Sequence, residues 1–159
     1  ALACRLRPFQ ATIVPERRAE VTTERGLDLR RPSRERETTI RDLTAAGIRV
    51  SPFTAPSTEA IAASHALGVP AIELHTGDYA HTWRNDGRAL ATLHRATAEA
   101  RALGLAVHAG HGLTYRNVRP VAAVPGLEEL NIGHSIVSRA VLDGMHVAVR
   151  EMAALVRPS

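Results

Sequence analysis

The chain has 159 residues, of which 45% are hydrophobic, 23% are charged and only 3% are aromatic. This length favours one domain with a buried core, but it is short for a closed barrel of eight βα units, which rarely forms below about 200 residues. All 20 basic residues are arginines. A Schiff-base lysine and a Walker-type phosphate loop are therefore excluded within this chain.

The formal net charge of +4 does not indicate a nucleic-acid-binding protein. The arginines are spread along the chain, and the densest stretch, residues 17–41, is interspersed with acidic residues, as in a solvated surface. The single cysteine, Cys4, cannot form an internal disulfide, which favours a reducing compartment such as the cytoplasm. We find no signal-peptide pattern and no apolar run approaching the roughly 18 residues that span a membrane.

Short β-type runs alternate with amphipathic helical segments. In chain order the pattern predicts a strand at residues 10–14, a helix from about 39 to 47, a strand at 48–53, a helix at 58–67, a strand at 71–75, a helix at about 86–103, a strand at 105–109, a helix at 117–123, a strand at 129–132 and a final helix at about 135–155. Helices that end in glycine before aliphatic strands are typical of βα units. The sequence therefore predicts an α/β fold with a parallel sheet.

Histidines gather where the predicted strands end. Half of the eight histidines occupy these positions: His75, His108, His111 and His134. In parallel α/β folds the active site lies at the carboxyl ends of the strands. Any one of these residues could be a surface or hydrogen-bonded histidine, but their grouping at one end of the sheet favours a functional site.

The segment Gly110-His111-Gly112 places a histidine between two residues that allow close backbone approach. Because histidine titrates near neutral pH, His111 suits a proton donor or acceptor beside a substrate. The alternative is a tight turn that happens to contain a histidine.

Glu73 lies inside an apolar strand and shares one face with His75, by the period of two. A carboxylate on the inner face of a sheet is costly unless it is paired, so Glu73 is either functional or part of a buried ion pair. Gly133 and His134 open the last helix, where free N–H groups can bind an anion. Capping of that helix by Ser135 is the alternative.

A metal-dependent hydrolase is a weaker hypothesis. His108 and His111 are three residues apart, so their rings would diverge along a continuing strand, and no acidic cluster joins them. We therefore predict no metal site.

The motifs together resemble the pyridoxine 5′-phosphate synthase family. They occur in order as Pro15-Glu16-Arg17-Arg18 with Glu20-Val21-Thr22-Thr23-Glu24, Gly47-Ile48-Arg49-Val50-Ser51, Ala71-Ile72-Glu73-Leu74-His75-Thr76-Gly77, Ala109-Gly110-His111-Gly112-Leu113-Thr114-Tyr115 and Glu129-Leu130-Asn131-Ile132-Gly133-His134. The resemblance runs from about residue 1 to the C-terminus. It implies a TIM (β/α)8 barrel that condenses 1-deoxy-D-xylulose 5-phosphate with 3-amino-2-oxopropyl phosphate in vitamin B6 synthesis. It also implies no metal or organic cofactor and a homo-octamer.

Site roles follow from the resemblance residue by residue. His111 matches the proton donor, Glu73 the transition-state stabiliser and Thr22 a contact to the deoxyxylulose phosphate. The contacts to the amino-oxopropyl phosphate match Gly112, Gly133 and His134.

The chain also departs from the family pattern. The family's first three βα units, with a catalytic histidine and a catalytic glutamate, have no counterpart, so we expect a single partial barrel domain made of the last five units. Arg25, Pro52 and His108 replace a glycine, a non-proline strand residue and an asparagine. A non-catalytic phosphate-ligand-binding or assembly remnant of the family is the alternative function.

Overall fold

Five parallel strands form the centre of the protein. The computed structural model describes residues 2–15, 26–29 and 33–157. The strands are β1 (Gln10–Ile13), β2 (Arg49–Thr54), β3 (Ala71–His75), β4 (Ala106–Gly110) and β5 (Leu127–Asn131). They pair in chain order, each parallel to the next. This arrangement confirms the predicted α/β class, and it is the order expected of part of a TIM barrel.

Helices connect and follow the strands. They are α1 (Leu2–Leu6), α2 (Arg34–Ala45), α3 (Thr58–Ala66), α4 (Gly77–Thr82), α5 (Arg88–Ala102), α6 (Val118–Ala122), α7 (His134–Asp143) and α8 (Met145–Val156). None of the helices in the described ranges is long and apolar enough to cross a membrane.

Three helix predictions need correction. The predicted final helix at 135–155 is two helices, because Gly144 adopts φ +83° and ψ 151° and interrupts the helical backbone between them. The α2 helix begins at Arg34, earlier than predicted, because the Ser33 side chain accepts a hydrogen bond from the Arg36 N–H at 3.3 Å and caps it. The sequence pattern also missed α1 and α4, which have five and six residues.

The hydrophobic core lies between the outer face of the sheet and the helices. Ile72 and Leu74 on β3 are fully buried there, with Val50 on β2, Val107 on β4 and Ile61 on α3. Each such side chain contributes roughly 1.5–3 kcal/mol when it is fully buried. Because these residues take the outward positions of their strands, the inner face is left to Glu73, His75 and other polar side chains.

Pro52 lies within β2, in the interior of the sheet. Residues 49–52 of β2 pair with β1, whereas the next two residues, Phe53 and Thr54, pair with β3. Proline has no N–H to donate to the hydrogen-bond ladder of a sheet. Because Pro52 lies where the pairing of β2 with β1 ends and its pairing with β3 begins, the loss of sheet hydrogen bonds is limited.

Candidate active site

A cavity of about 690 Å³ opens at the carboxyl ends of the strands. Its lining includes five of the six residues to which the family resemblance gave site roles: Glu73, His111, Gly112, Gly133 and His134. The sixth, Thr22, lies outside the described residues. The other lining residues are Val14, Phe53, Leu113, Thr114, Asn131, Ile132, Ser135 and Ser138. The structure thus brings together residues from the carboxyl ends of all five strands and from the start of α7.

Glu73 is the central carboxyl group of this cavity and is only 7% exposed. Burial raises the pKa of Glu73 above its ordinary value of 4.5, although hydrogen bonds with the Thr12 and Asn131 side chains oppose the rise. The negative charge of Glu129 raises it further. A neighbouring glycine makes room for the carboxyl group: a Cβ at Gly110 would lie 2.6 Å from Glu73 Oε1.

His111 has an unusual backbone conformation, with φ +84°. Few non-glycine residues adopt positive φ, and they occur in tight turns and at functional sites. Its imidazole stacks on that of His75, with ring centroids 4.6 Å apart and planes at 25°. The chain bends at His111 and Gly112, and both residues line the cavity.

The chain after His111 is held by Asn117, which is 2% exposed. Its side-chain oxygen accepts a hydrogen bond from the Thr114 N–H at 2.6 Å, and its amide nitrogen donates to the Gly112 carbonyl at 3.2 Å. Tyr79 donates its hydroxyl proton to the Asn117 carbonyl at 2.7 Å. These bonds fix the loop that carries Gly112 into the cavity.

The N-terminus of α7 forms the opposite wall. Gly133 is its N-cap, and no side-chain hydrogen bond from the described part of the chain caps the first turn. Ser135 therefore does not cap this helix, contrary to the alternative considered from the sequence. Uncapped N–H groups and the helix dipole make such a terminus suited to an anion, and His134 stands beside it.

His108 lies deeper on the inner face and is 1% exposed. Burial lowers the pKa of His108 from its ordinary value of 6.5. Its Nδ1 atom is 3.3 Å from the Gln10 side-chain nitrogen. No group of three or more histidine, cysteine or acidic side chains within the described ranges could hold a metal ion.

Sequence reasoning gave no role to four residues that shape the site: Thr12, Phe53, Thr76 and Asn117. The period of two along β1 places Thr12 on the inner face, which is a signal that could have found it. Asn117 and Thr76 act through backbone groups of a loop, and such contacts leave no trace in strand or helix periodicity.

Comparison with known proteins identifies the family. The family model described as "Pyridoxal phosphate biosynthesis protein PdxJ" matches residues 1–158. The chain belongs to the PdxJ family. This confirms the resemblance drawn from the sequence motifs.

Curated relatives of this PdxJ-family chain are named pyridoxine 5′-phosphate synthase. The Synechococcus sp. (strain CC9902) protein is 51% identical over 158 residues, which are 99% of this chain and 64% of the relative. The proteins from Prochlorococcus marinus (strain MIT 9303) and Synechococcus sp. (strain WH7803) are 50% and 52% identical, each over 157 residues. The chain therefore spans just under two thirds of the length of these relatives.

Proposed function

We propose that this chain carries the part of a pyridoxine 5′-phosphate synthase site that lies at the carboxyl ends of β1 to β5 and at the start of α7. The reaction condenses 1-deoxy-D-xylulose 5-phosphate with 3-amino-2-oxopropyl phosphate, closes the ring, and releases phosphate and water. The observation that carries the proposal is the single cavity that contains Glu73, His111 and the uncapped start of α7. Membership of the PdxJ family supports the choice of substrates.

His111 is the proton donor in this proposal. Condensation of an amine with a carbonyl expels water, and the departing hydroxyl must receive a proton as the C–O bond breaks. His111 and Glu73 line the same cavity, so in this proposal both groups face the same bound molecule.

Glu73 stabilises charge that develops during these steps. Burial raises its pKa, so it retains its proton to a higher pH than an exposed glutamate does. In its neutral form it donates a hydrogen bond to a developing oxyanion, and in its ionised form it stabilises an iminium cation.

The start of α7 binds the phosphate of the amino-oxopropyl substrate in this proposal. Free backbone N–H groups after Gly133, with the His134 side chain, provide donors for phosphate oxygens. Gly112 brings the backbone of the facing loop close to the same ligand. Thr22, which lies outside the described residues, is proposed to contact the deoxyxylulose phosphate.

We further propose that the protein assembles with copies of itself, as its family resemblance implies. Exposed apolar side chains on α7 support this, since Val141 and Leu142 are 79% and 82% exposed. Sedimentation equilibrium on wild type and on Val141→Asp tests it. A monomer for both proteins at high concentration overturns it.

The proposed function is tested by measuring the formation of pyridoxine 5′-phosphate from the two substrates. We would assay the chain alone and a chimera in which it replaces the matching part of the Synechococcus relative. His111→Asn should lower the rate of the active form by a factor on the order of 10²–10⁴. His94→Asn, which changes an exposed histidine on α5, is the matched control and should have no effect.

Two outcomes would contradict the proposal. An active chimera whose rate is unchanged by His111→Asn removes the proton-donor role. A chimera that binds both substrates in calorimetry but never forms pyridoxine 5′-phosphate favours the non-catalytic, ligand-binding alternative.

A further inference from the structure

The chain continues past β3 as Thr76 and Gly77, and this corner lies against the loop that carries His111. We propose that His75 and Thr76 are positioning residues, which fix the ring and the backbone of His111 in the orientation that faces the cavity. The inference rests on the proposed role of His111. It concerns two residues that touch His111 rather than the bound substrate.

Thr76 holds the backbone on both sides of His111. The Thr76 side chain is fully buried, and its Oγ1 lies 2.7 Å from the Gly110 carbonyl oxygen and 2.6 Å from the His111 carbonyl oxygen. The Thr76 N–H also donates to the Gly110 carbonyl at 2.9 Å. Since carbonyls only accept, the hydroxyl must donate, and its one proton is shared between them. These bonds tie down the peptides that flank a residue with φ +84°.

His75 holds the ring of His111. Its Nδ1 accepts a hydrogen bond from the Gly77 N–H at 3.1 Å, which sets the tautomer and plane of the His75 imidazole. That ring stacks on His111, and Phe53 packs against both, with centroid distances of 5.1 Å to His75 and 6.3 Å to His111. A Cβ at Gly77 would overlap the His75 ring, so glycine is needed for this contact.

The arrangement points to positioning because proton transfer depends on the direction of the donor. If a mutation displaces a reacting group by about 1 Å, even from a position far from the chemistry, the rate can fall by about 10²-fold. A ring on a flexible loop would sample many orientations. Here the rings of His75 and Phe53 and the hydroxyl of Thr76 hold His111 in one orientation.

Substitution of Thr76 tests the backbone part. Thr76→Val keeps the shape and removes the hydroxyl, and Thr76→Ser keeps the hydroxyl. We expect Thr76→Val to lower kcat by about 10–100-fold with little change in KM, and Thr76→Ser to restore most of the rate. Thr97→Val is the matched control. It also removes a buried threonine hydroxyl, one without a hydrogen-bond partner among the described residues, and it should leave kcat unchanged.

Substitution of His75 tests the ring part. Asparagine places an oxygen near the position of Nδ1, so His75→Asn keeps an acceptor for the Gly77 N–H and removes the stacked ring. We expect a fall in kcat of about tenfold or more, again with KM little changed. Equal rates for Thr76→Val, His75→Asn and wild type, at a temperature where all three are folded, would overturn the inference.

A second readout does not depend on turnover. In the chain labelled with ¹³C at histidine Cε1, the His111 signal is assigned by its loss in His111→Asn. Thr76→Val and His75→Asn should each shift or broaden that signal, and Thr97→Val should not. An unmoved His111 signal in both variants overturns the positioning role even if the enzyme is active. If the His111 signal changes in both variants but the wild-type protein has no activity, the proposed function is wrong and the positioning of His111 by His75 and Thr76 is still supported.

Discussion

Gly112→Ala should destabilise the protein through two separable effects. Gly112 has φ +77°, and an L-residue in left-handed backbone costs roughly 1–2 kcal/mol. A Cβ at this position would also lie 2.6 Å from the Cβ of Ala80 on α4, well inside a normal carbon–carbon contact of about 3.5–4.0 Å. Relief of such overlap by backbone shifts costs about 1–3 kcal/mol. The sum, about 2–5 kcal/mol, corresponds to a fall in Tm of roughly 4–20 °C.

Chemical and thermal unfolding followed by circular dichroism measures this loss, and Gly104→Ala is the matched control. Gly104 has φ +79° with open space around its Cβ position, so alanine there incurs only the backbone cost. Ala80→Gly, made in both the wild-type and the Gly112→Ala background, isolates the contact as the coupling energy of a double-mutant cycle. The reasoning is refuted if Gly112→Ala and Gly104→Ala are equally destabilising, or if the cycle shows no coupling.

Three further predictions concern pH and helix capping. Because the folded state raises the pKa of Glu73, the free energy of unfolding should fall as pH rises from 4.5 through the raised pKa; urea titrations of Glu73→Gln should lack that decline. Because burial lowers the pKa of His108, the free energy of unfolding should fall as pH drops from 6.5 through the lowered pKa. His108→Asn should remove this pH dependence, and an equal pH dependence in the variant and the wild type would contradict the prediction. Ser57 accepts a hydrogen bond from the Ala60 N–H at 3.3 Å as the N-cap of α3, so Ser57→Ala should cost about 1 kcal/mol in denaturant unfolding, and a negligible loss would show that the cap is unimportant.

Local patterns predicted the strands better than the helices. The predicted strand at 71–75 coincides with β3, because Gly68 and Pro70 precede its apolar run and Gly77 closely follows it. The single helix predicted at 135–155 was wrong because one glycine inside a helical pattern does not by itself indicate a break, whereas in the fold Gly144 has a positive φ and α7 packs against α8. Hydrophobic periodicity indicates which face of a helix or strand a residue lies on, but it does not indicate the angle between two consecutive helices.

The same limit applies to the site. The strand-end rule and the family motifs predicted Glu73 and His111 as site residues from local features of the chain, and the structure places both in one cavity. The stacking of His75 on His111 depends on the reversal of the chain at a residue with positive φ, which the sequence pattern does not predict. The hydrogen bonds from Thr76 to that loop also depend on this tertiary approach.

The partners of Glu73 show how strongly the sheet is curved. Thr12 is on β1 and Asn131 is on β5, the two outer strands, yet both hydrogen-bond to the carboxyl group of the central strand. In a flat sheet β1 and β5 would be roughly 19 Å apart, at about 4.8 Å per strand, and their side chains would stand parallel to one another. Two side chains so placed could not converge on one carboxyl group. The five strands must therefore curl around their inner face, as the strands of a barrel do. Because of this curvature, the buried carboxyl group of Glu73 has hydrogen-bond partners on two other strands and lines the cavity.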